Sequence, residues 1–202
     1  MDKKVIIIGA GGHGRVISDI ILACGDEVAG FIDDRADVKI NGFKYLGSMS
    51  EIENYKDSLF IIGIGNNEIR RRIAKTYPHL NYYTAIHPSA VISRTASVGA
   101  GTCVMPNVTV NSMSEIGEHC IINSGAVVEH DCKVADFVHL SPRVAIGGIV
   151  SIGELSHIGI GTSVVSEINI CEKVIVGAGG AVNRDIKEPG TYVGVPVHRL
   201  EK

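Results

Sequence analysis

The 202-residue sequence has no tryptophan, and aromatic residues make up only 5% of it. Its formal net charge is −3, so it lacks the basic footprint of a nucleic-acid-binding domain. It has no apolar run long enough to cross a membrane or to form a signal-peptide core, since Val5–Ile8 gives way at once to glycines. These shortages argue against a nucleic-acid partner and against membrane insertion.

The cysteines are equally uninformative about a structural framework. There are five of them, an odd number, and no two have CxxC spacing. Neither a disulfide scaffold nor a zinc knuckle is therefore predicted, and we expect a reduced, cytoplasmic protein without a bound metal. Hydrophobic residues form 45% of the chain and charged residues 20%, which is enough to bury a core.

What the sequence has is a hexapeptide repeat through its second half. Every sixth residue from Ile92 to Val182 is Val, Ile or Leu, sixteen times in succession. The residue two positions earlier is always small or apolar, and glycine follows the aliphatic residue six times. A repeat this short predicts a solenoid of parallel strands, three hexads to a coil, with coils about 4.8 Å apart. The aliphatic residues point inward, while small residues and glycine fit corners where bulk clashes or φ must be positive.

The first half has the pattern of a small βαβαβ fold. The predicted elements are strands at Lys4–Ile8, Val28–Ile32 and Leu59–Ile64 and helices at Val16–Cys24 and Glu68–Tyr77. Between the first strand and helix lies Gly9-Ala10-Gly11-Gly12-His13-Gly14, which matches GxGxxG. In this context the glycine-rich turn with Gly11 and Gly12 and the N-terminus of the following helix are predicted to hold a phosphate. The alternatives are that the glycines only permit a tight turn and that His13 caps the helix.

The acidic pair that ends the second strand, Asp33-Asp34, lies about twenty residues beyond the glycines, where a ribose or a base is expected. The α/β pattern ends near Leu80, which leaves room for only half of a dinucleotide fold. We therefore expect a nucleotide diphosphate rather than NAD, and we place the domains at 1–82 and 83–202.

Five segments together resemble the PglD/NeuD-type sugar acetyltransferases over essentially the whole chain. They are IIIGAGGHG, FIDD, IGNNEIRRRI, EHD and YVGVPVHRL. The resemblance implies an α/β half-Rossmann domain followed by an all-β left-handed parallel β-helix, assembled as a homotrimer with active sites between subunits. It implies acetyl-CoA as co-substrate and a nucleotide-linked amino sugar as acceptor. The family members most similar to this sequence acetylate the 4-amino group of a UDP-linked 4-amino-4,6-dideoxy sugar.

Transfer of an acyl group from a thioester to an amine needs a base, an oxyanion donor and positioned substrates. By resemblance His130 is the catalytic base and Asp131 is the acid that orients it; the alternative is a solvated surface histidine. Adjacent residues on a flat strand point to opposite faces, so Asp131 can orient His130 only if a corner brings them together.

His139 matches an active-site histidine of the family that also lies near the cofactor. It falls half a coil after His130, so the two are predicted to meet only across a subunit boundary. His157 lies one coil after His139, which predicts that the two rings stack on one face. The role of His157 stays open.

The resemblance assigns the remaining site residues one by one. It implies that His13 contacts the nucleotide diphosphate. Asn123 positions the sugar or the acetyl group, and the Gly148 N–H points at the thioester carbonyl. Gly177 and Ala178 lie beside the pantetheine, although the family has glycine where Ala178 stands. Asn66 either contacts the substrate or only caps the following helix. The run Arg70–Arg72 is predicted to be a solvated helix face.

Three other functions remain open at this stage. A sugar O-acetyltransferase acting on sialic acid would use the same base, so the hydroxyl and amine acceptors are not distinguished. A metal-dependent β-helix enzyme would take histidines from two subunits, with His139 and His157 as candidates. A non-catalytic nucleotide-binding trimer would bind no CoA. An NAD oxidoreductase is the least favoured because the first domain is too small.

Overall fold

A computed structural model describes residues 3–35 and 42–201. Its N-terminal part is a parallel sheet of five strands in the order β3-β2-β1-β4-β5. The elements are β1 Lys4–Ile8, α1 Gly12–Ala23, β2 Glu27–Ile32, β3 Tyr45–Gly47, a 3₁₀-helix Met49–Tyr55, β4 Leu59–Ile62, α2 Asn67–Thr76 and β5 Asn81–Tyr82. Alternate residues of β1 pack on opposite faces of this sheet: Val5 and Ile7 on the side of α1, Ile6 and Ile8 on the side of α2.

This arrangement confirms the predicted α/β fold, and the bounds of its elements differ in detail from those predicted. Helix α1 begins at Gly12, inside the glycine motif, whereas the apolar periodicity first shows at Val16. The third predicted strand ends at Ile62, two residues early. The short edge strands β3 and β5 were not predicted, because two or three residues carry no periodicity to read.

The second half is a parallel β-helix with three flat faces. Its strands are β6 Ala85–Ile86, β7 Val91–Ile92, β8 Ser97–Val98, β9 Cys103–Val104, β10 Thr109–Val110, β11 Glu115–Ile116, β12 Ile121–Ile122, β13 Val127–Val128, β14 Lys133–Val134, β15 His139–Leu140, β16 Ala145–Ile146, β17 Ser151–Ile152, β18 His157–Ile158, β19 Ser163–Val164, β20 Asn169–Ile170, β21 Val174–Val176 and β22 Ala181–Val182. The first face runs β7-β10-β13-β16-β19-β22, the second β8-β11-β14-β17-β20, and the third from β6 through β9, β12, β15 and β18 to β21. A hairpin of β23 Gly190–Gly194 and β24 Val197–Arg199 extends the third face.

All sixteen aliphatic residues of the hexad series belong to one core, and only Ile92 and Val98 at its start are partly exposed. The corners follow a stricter rule than the sequence predicts. Every sixth residue from Gly101 to Gly179 has a positive φ, and ten of these fourteen residues are not glycine. The glycines that follow the inward aliphatic residues are not among them. They are needed for close approach instead: a Cβ on Gly117 would lie 2.4 Å from Asp136 Oδ1 of the next coil.

The α/β part packs against the third face of the β-helix and the corner that precedes it. Helix α1 shares a core with Cys103, Met105 and Ile121, and the core on the α2 side includes the corner residues Phe137 and Leu155. On the third face, His139 and His157 follow Ile121 at the same outward position in the next two coils. They therefore lie just beyond the part of this face that α1 covers. The division at residues 82 and 83 stays a prediction; strands β5 and β6 lie on either side of it. None of the described helices is long and apolar enough to span a membrane.

Candidate active site

The carboxyl ends of β1, β2 and β4 surround two adjoining cavities. One, of about 340 Å³, is lined by Gly11, Gly12, His13, Asp33 and Gly65, among others. The other, of about 400 Å³, includes Asp33, Asp34 and Arg35 and has apolar walls from Met49, Ile64, Ile69 and Ile73. The structure therefore gathers the predicted phosphate-binding and ribose-binding residues at one edge of the sheet, as expected for an open α/β fold.

The glycine motif forces helix α1 to begin against the end of β1. Gly9 has a φ of +103°, and a Cβ on Gly14 would lie 2.0 Å from the Gly9 carbonyl oxygen. The N-cap residue Gly11 makes no side-chain cap, and the first turn of α1 contains no acidic residue. The first N–H groups of the helix are thus left for an external acceptor, which makes this end a natural anion site.

Asp33 and Asp34 both bind backbone of their own domain. Asp33 accepts hydrogen bonds from Ala10 N at 2.8 Å and from Arg35 N at 2.9 Å. Burial works against its charge, but the bonds from Arg35 and Ala10 outweigh it and lower the pKa of Asp33 to about 2. Asp34 accepts from Met49 N at 2.9 Å. Both carboxylates brace the loops around the cavities, and their predicted contacts with a ribose or base stay predictions.

His139 forms the β-helix wall opposite the glycine motif. Its ring stacks on His157 with centroids 4.5 Å apart and planes 6° from parallel, which confirms the predicted stack. Asn123 Nδ2 donates to His139 Nε2 at 3.2 Å, and Ser141 Oγ forms a hydrogen bond with His157 Nε2 at 2.8 Å, between the equivalent positions one coil later. Asn123 therefore fixes the neutral tautomer of His139 that carries its proton on Nδ1.

Three buried ring nitrogens lack a well-formed hydrogen bond among the described residues: His13 Nε2, His119 Nδ1 and His139 Nδ1. Burial, followed by the nearby His157 and Arg70, lowers the pKa of His139 to about 3. Burial and Arg70 lower the pKa of His13 to about 4. Both rings are therefore neutral near pH 7. The Gly65 backbone lies against the His139 ring and opposes part of the lowering of its pKa.

Gly65, in the loop after β4, connects these features. It lines the cavity that contains His13 and also a cavity of about 210 Å³ that contains Asn66 and His157. The side chain of Asn66 is the N-cap of α2, accepting from Ile69 N at 3.0 Å, so the capping alternative is what the structure shows for its oxygen. The two cavities thus run from the glycine motif towards the stacked histidines.

His130 lies elsewhere, at the corner between the first and second faces. Asp131 has a φ of 58°, and this left-handed turn brings its Oδ2 within 2.8 Å of His130 Nδ1. The condition for Asp131 to orient His130 is therefore met. The imidazole lies over Gly148, where a Cβ would be 2.7 Å from both Cε1 and Nε2. The His130 side chain is 56% exposed, and Nε2 is the nitrogen left for a substrate.

Within one chain the two histidines are not brought together. His130 follows β13 of the first face, His139 belongs to β15 of the third, and no hydrogen bond or ring contact between them occurs in the described parts of the chain. Their meeting across a subunit boundary stays a prediction. The corner that carries His130 also exposes Met113 and Ile149, one coil to either side of Asp131.

The predicted cofactor residues near the C-terminus lie beside the terminal hairpin. Gly177 packs closely against it, since a Cβ there would be 2.9 Å from Val193 Cγ1. Ala178 is an exposed corner residue next to Gly177. Their contact with a pantetheine chain stays a prediction.

The prediction for the arginine run is wrong at one position. Arg70 is 1% exposed and bonds to both halves of the chain, whereas Arg72 is exposed as expected. Asn67 is also buried and donates to the carbonyls of Leu155 and Ser156 at 2.9 and 3.1 Å. The missed signal was helical spacing, because positions 67, 70 and 74 form one face of α2 and Ala74 is apolar.

The histidine pair does not have the arrangement of a metal centre. Across residues 3–35 and 42–201 no group of three or more His, Cys, Asp or Glu side chains is arranged to hold a metal ion. His139 and His157 stack face to face with their Nε2 atoms occupied by Asn123 and Ser141, which is not the geometry of two ligands on one ion.

Comparison with known proteins gives a consistent assignment. Residues 4–77 match the family model of the PglD N-terminal domain. GDP-perosamine N-acetyltransferase of Escherichia coli O157:H7 is 30% identical over 183 residues, covering 86% of this chain and 82% of that protein. UDP-N-acetylbacillosamine N-acetyltransferase of Bacillus subtilis is 41% identical over 111 residues, 51% of each chain. The crystal structure of PerB from Caulobacter crescentus, in complex with CoA and GDP-perosamine, superposes with a TM-score of 0.94 at 37% identity, covering 98% of this chain and 97% of that one.

Proposed function

The chain belongs to the PglD/NeuD-type sugar acetyltransferase family, and from this we propose that it transfers the acetyl group of acetyl-CoA to the 4-amino group of a UDP-linked 4-amino-4,6-dideoxy sugar. The observation that carries the proposal is a pair of cavities that share Gly65. One lies at an uncapped helix N-terminus suited to a diphosphate, and the other reaches His157, which stacks on His139 and is suited to a sugar. The related proteins that act on or bind GDP-perosamine and UDP-linked sugars support the acceptor class.

The α/β part is proposed to bind the nucleotide. The N–H groups at Gly11, Gly12 and His13 receive the diphosphate, where the dipole of α1 favours negative charge. The apolar cavity beside Asp33 and Asp34 receives the base and ribose. The sugar then extends past Gly65 towards Asn66, which places its amine near the β-helix.

The acyl transfer is proposed to use His130 as base in a ternary complex. The sugar amine attacks the thioester carbonyl carbon and forms the C–N bond, while His130 Nε2 takes the proton that the amine loses. Asp131 holds Nδ1 and stabilises the imidazolium. The Gly148 N–H donates to the oxyanion of the tetrahedral intermediate. The C–S bond then breaks, and CoA leaves as a thiol after taking the proton from His130.

His139 has a different role in this scheme. Because it is neutral and carries its proton on Nδ1, it serves as a hydrogen-bond donor to the acetyl group or the bound cofactor rather than as a base. Asn123 holds its ring in that tautomer. Gly177 and Ala178 are proposed to contact the pantetheine through their backbone.

A homotrimer is proposed because one chain does not complete the site. His130 is exposed at one corner and His139 lies on another face, so a neighbouring chain must supply the opposite wall. The exposed apolar side chains of Met113 and Ile149 beside His130 suit a subunit contact. Light scattering coupled to size-exclusion chromatography is expected to give three times the chain mass of 21.5 kDa; a monomer with full activity would contradict this assembly.

The deciding experiment measures release of the CoA thiol with three acceptors: UDP-4-amino-4,6-dideoxy-N-acetylglucosamine, GDP-perosamine and free sialic acid. We expect release with the UDP-amino sugar, and a loss of about 10²- to 10⁴-fold in His130→Asn, the range for removal of a general base. The control is His79→Asn, which removes an exposed histidine paired with Glu53 and is expected to change nothing.

The other outcomes correct the proposal at defined points. Release with GDP-perosamine alone would change the nucleotide and keep the reaction. Release with sialic acid alone would establish the O-acetyltransferase alternative. No thiol release with any of the three acceptors would refute the proposed substrate class. Full activity in His130→Asn would refute the assignment of His130 as the base.

A further inference from the structure

Arg70 is the most deeply buried charged side chain described in the protein, with 1% exposure. It lies in the first half of α2, between the exposed Ile69 and the half-buried Arg71. An arginine is rarely buried without a carboxylate partner, because its charge is costly to desolvate. Across the described residues no carboxylate lies within ion-pair distance of it, so other contacts must hold it there.

The guanidinium is satisfied by backbone and amide oxygens instead. Nε donates to the His119 carbonyl at 2.7 Å, and one terminal nitrogen donates to the Ile64 and Gly65 carbonyls at 3.0 and 3.3 Å. The other terminal nitrogen donates to Asn67 Oδ1 at 2.8 Å and to the Phe137 carbonyl at 3.0 Å. All five N–H groups are therefore used, which a lysine with three donors cannot reproduce.

These acceptors belong to both walls of the candidate site. Ile64 and Gly65 form the loop of the α/β part that lines the cavities beside His13 and His157. His119 and Phe137 are equivalent left-handed corners of successive coils, and His139 follows Phe137 by two residues. Arg70 thus joins the loop that borders the bound nucleotide sugar to the coil that carries His139.

Asn67 extends the same clamp by one more coil. While its oxygen accepts from Arg70, its Nδ2 donates to the carbonyls of Leu155 and Ser156, directly before His157. One face of α2 therefore binds three successive corners of the β-helix, those at His119, Phe137 and Leu155. Such a contact fixes both the distance and the register between the two halves.

The fixed cation also acts on the histidines around it. Arg70 adds to burial in lowering the pKa values of His13, His119, His139 and His157. With these rings neutral, the acceptor site presents hydrogen-bonding groups and no competing imidazolium charge. This effect depends on the guanidinium staying where its five bonds hold it.

We propose that Arg70 is a positioning residue for acetyl transfer: it locks the Ile64–Gly65 loop to the coil that carries His139, and so holds the two walls of the acceptor site at a fixed spacing. The proposal rests on the function proposed above for that site. It predicts that loss of the clamp harms use of the nucleotide sugar more than acetyl-CoA binding, because only His139 of the proposed cofactor residues lies beside the clamp, whereas Gly177 and Ala178 lie beside the terminal hairpin.

The test compares Arg70→Lys and Arg70→Met with Arg71→Met. Arg71 is on the same helix and also reaches the β-helix, through an ion pair with Glu154 at 3.7 Å, but its side chain is 29% exposed. Misplacement of a wall by about 1 Å costs about 10²-fold in rate, so we expect kcat/KM for the nucleotide sugar to fall by about that factor in Arg70→Met and by at least about tenfold in Arg70→Lys. The KM for acetyl-CoA is expected to change much less than kcat/KM for the nucleotide sugar, and the kinetics of Arg71→Met by less than about twofold.

Hydrogen exchange measured by mass spectrometry gives a readout that needs no substrate. In both Arg70 variants we expect faster exchange in the segments 62–67 and 137–140, with the coils from residue 163 onwards as protected as in the wild type. If the wild type acetylates no nucleotide sugar, the proposed function fails, and the exchange pattern still decides whether Arg70 locks the two walls.

Three results would overturn the proposal. Wild-type kcat/KM in Arg70→Lys would show that charge alone suffices and the clamp is not needed. Equal losses for both substrates, with exchange raised evenly along the chain, would show general destabilisation. Failure of even the lysine variant to fold would assign Arg70 to the stability of the whole fold.

Discussion

Gly148 is expected to control activity through His130 without contributing much to stability. In the structure an added Cβ at this position would lie 2.7 Å from His130 Cε1 and Nε2, while its φ lies outside the left-handed region. Gly148→Ala therefore introduces a steric conflict with one side chain and no backbone strain. It also keeps the Gly148 N–H, so any loss reports on the position of the base.

The magnitude follows from this contact. Carbon atoms prefer separations of about 3.5 Å, so the imidazole must move by roughly 1 Å. A displacement of about 1 Å at a reacting group costs about 10²-fold, or about 2.7 kcal/mol of transition-state stabilisation. The ring is more than half exposed and swings into solvent freely, so the loss of its pair with Asp131 costs about 0–1 kcal/mol of stability. The two effects differ enough to be separated.

The assay is thiol release at saturating acetyl-CoA and nucleotide sugar, with thermal unfolding in parallel. We expect kcat of Gly148→Ala to fall about 10²-fold while Tm shifts by no more than about 4 °C. Gly25→Ala is the matched control: Gly25 has a φ of +79° with open space around it, so alanine there costs about 1 kcal/mol but touches no site residue. A kcat within about threefold of wild type in Gly148→Ala would refute the assigned position of the base.

Two further measurements test the site and the core. The pKa of His139, lowered to about 3 by burial and by His157 and Arg70, and that of His13, lowered to about 4 by burial and Arg70, predict that neither ring gains a proton between about pH 5 and pH 8. NMR of labelled imidazoles is expected to show both as neutral tautomers throughout, and a midpoint near the ordinary histidine pKa of about 6.5 for His139 would contradict its buried position. Leu140 is fully buried in the β-helix core. We expect Leu140→Ala to lower the free energy of unfolding, measured with denaturant, by about 2–5 kcal/mol, and Leu140→Met to lower it by less than about 1.5 kcal/mol. Equal effects of both changes would contradict a close-packed core.

The β-helix was predictable because every coil repeats the same six-residue spacing of aliphatic residues. Sixteen aliphatic residues at one spacing leave a single way to bury them, and the structure buries them that way. The left-handed corners were not predictable from residue type. Phe137, Leu155 and Ile149 have no intrinsic preference for positive φ, so closure of the coil imposes it on whatever residue occupies that place.

The site was predictable to the extent that its residues carry local motifs. The glycine turn, the His130–Asp131 pair and the His139–His157 stack each depend on neighbours in sequence or one coil away. Arg70 depends on carbonyls of His119 and Phe137, which no local pattern connects to α2. Every residue has a backbone carbonyl, so the sequence does not show which carbonyls Arg70 contacts. It shows only the helical face on which Arg70 lies.

The separation of His130 from His139 fits the different roles proposed for them. The proposed base must exchange protons with substrate, and His130 has its Nε2 open and its Nδ1 held by a carboxylate. The proposed donor must stay neutral, and the pKa of His139 is lowered by burial, by His157 and by Arg70, which the α/β part supplies. An isolated β-helix would expose His139 and remove the cation. Besides the nucleotide binding proposed for it, the α/β part therefore contributes to the protonation state of His139.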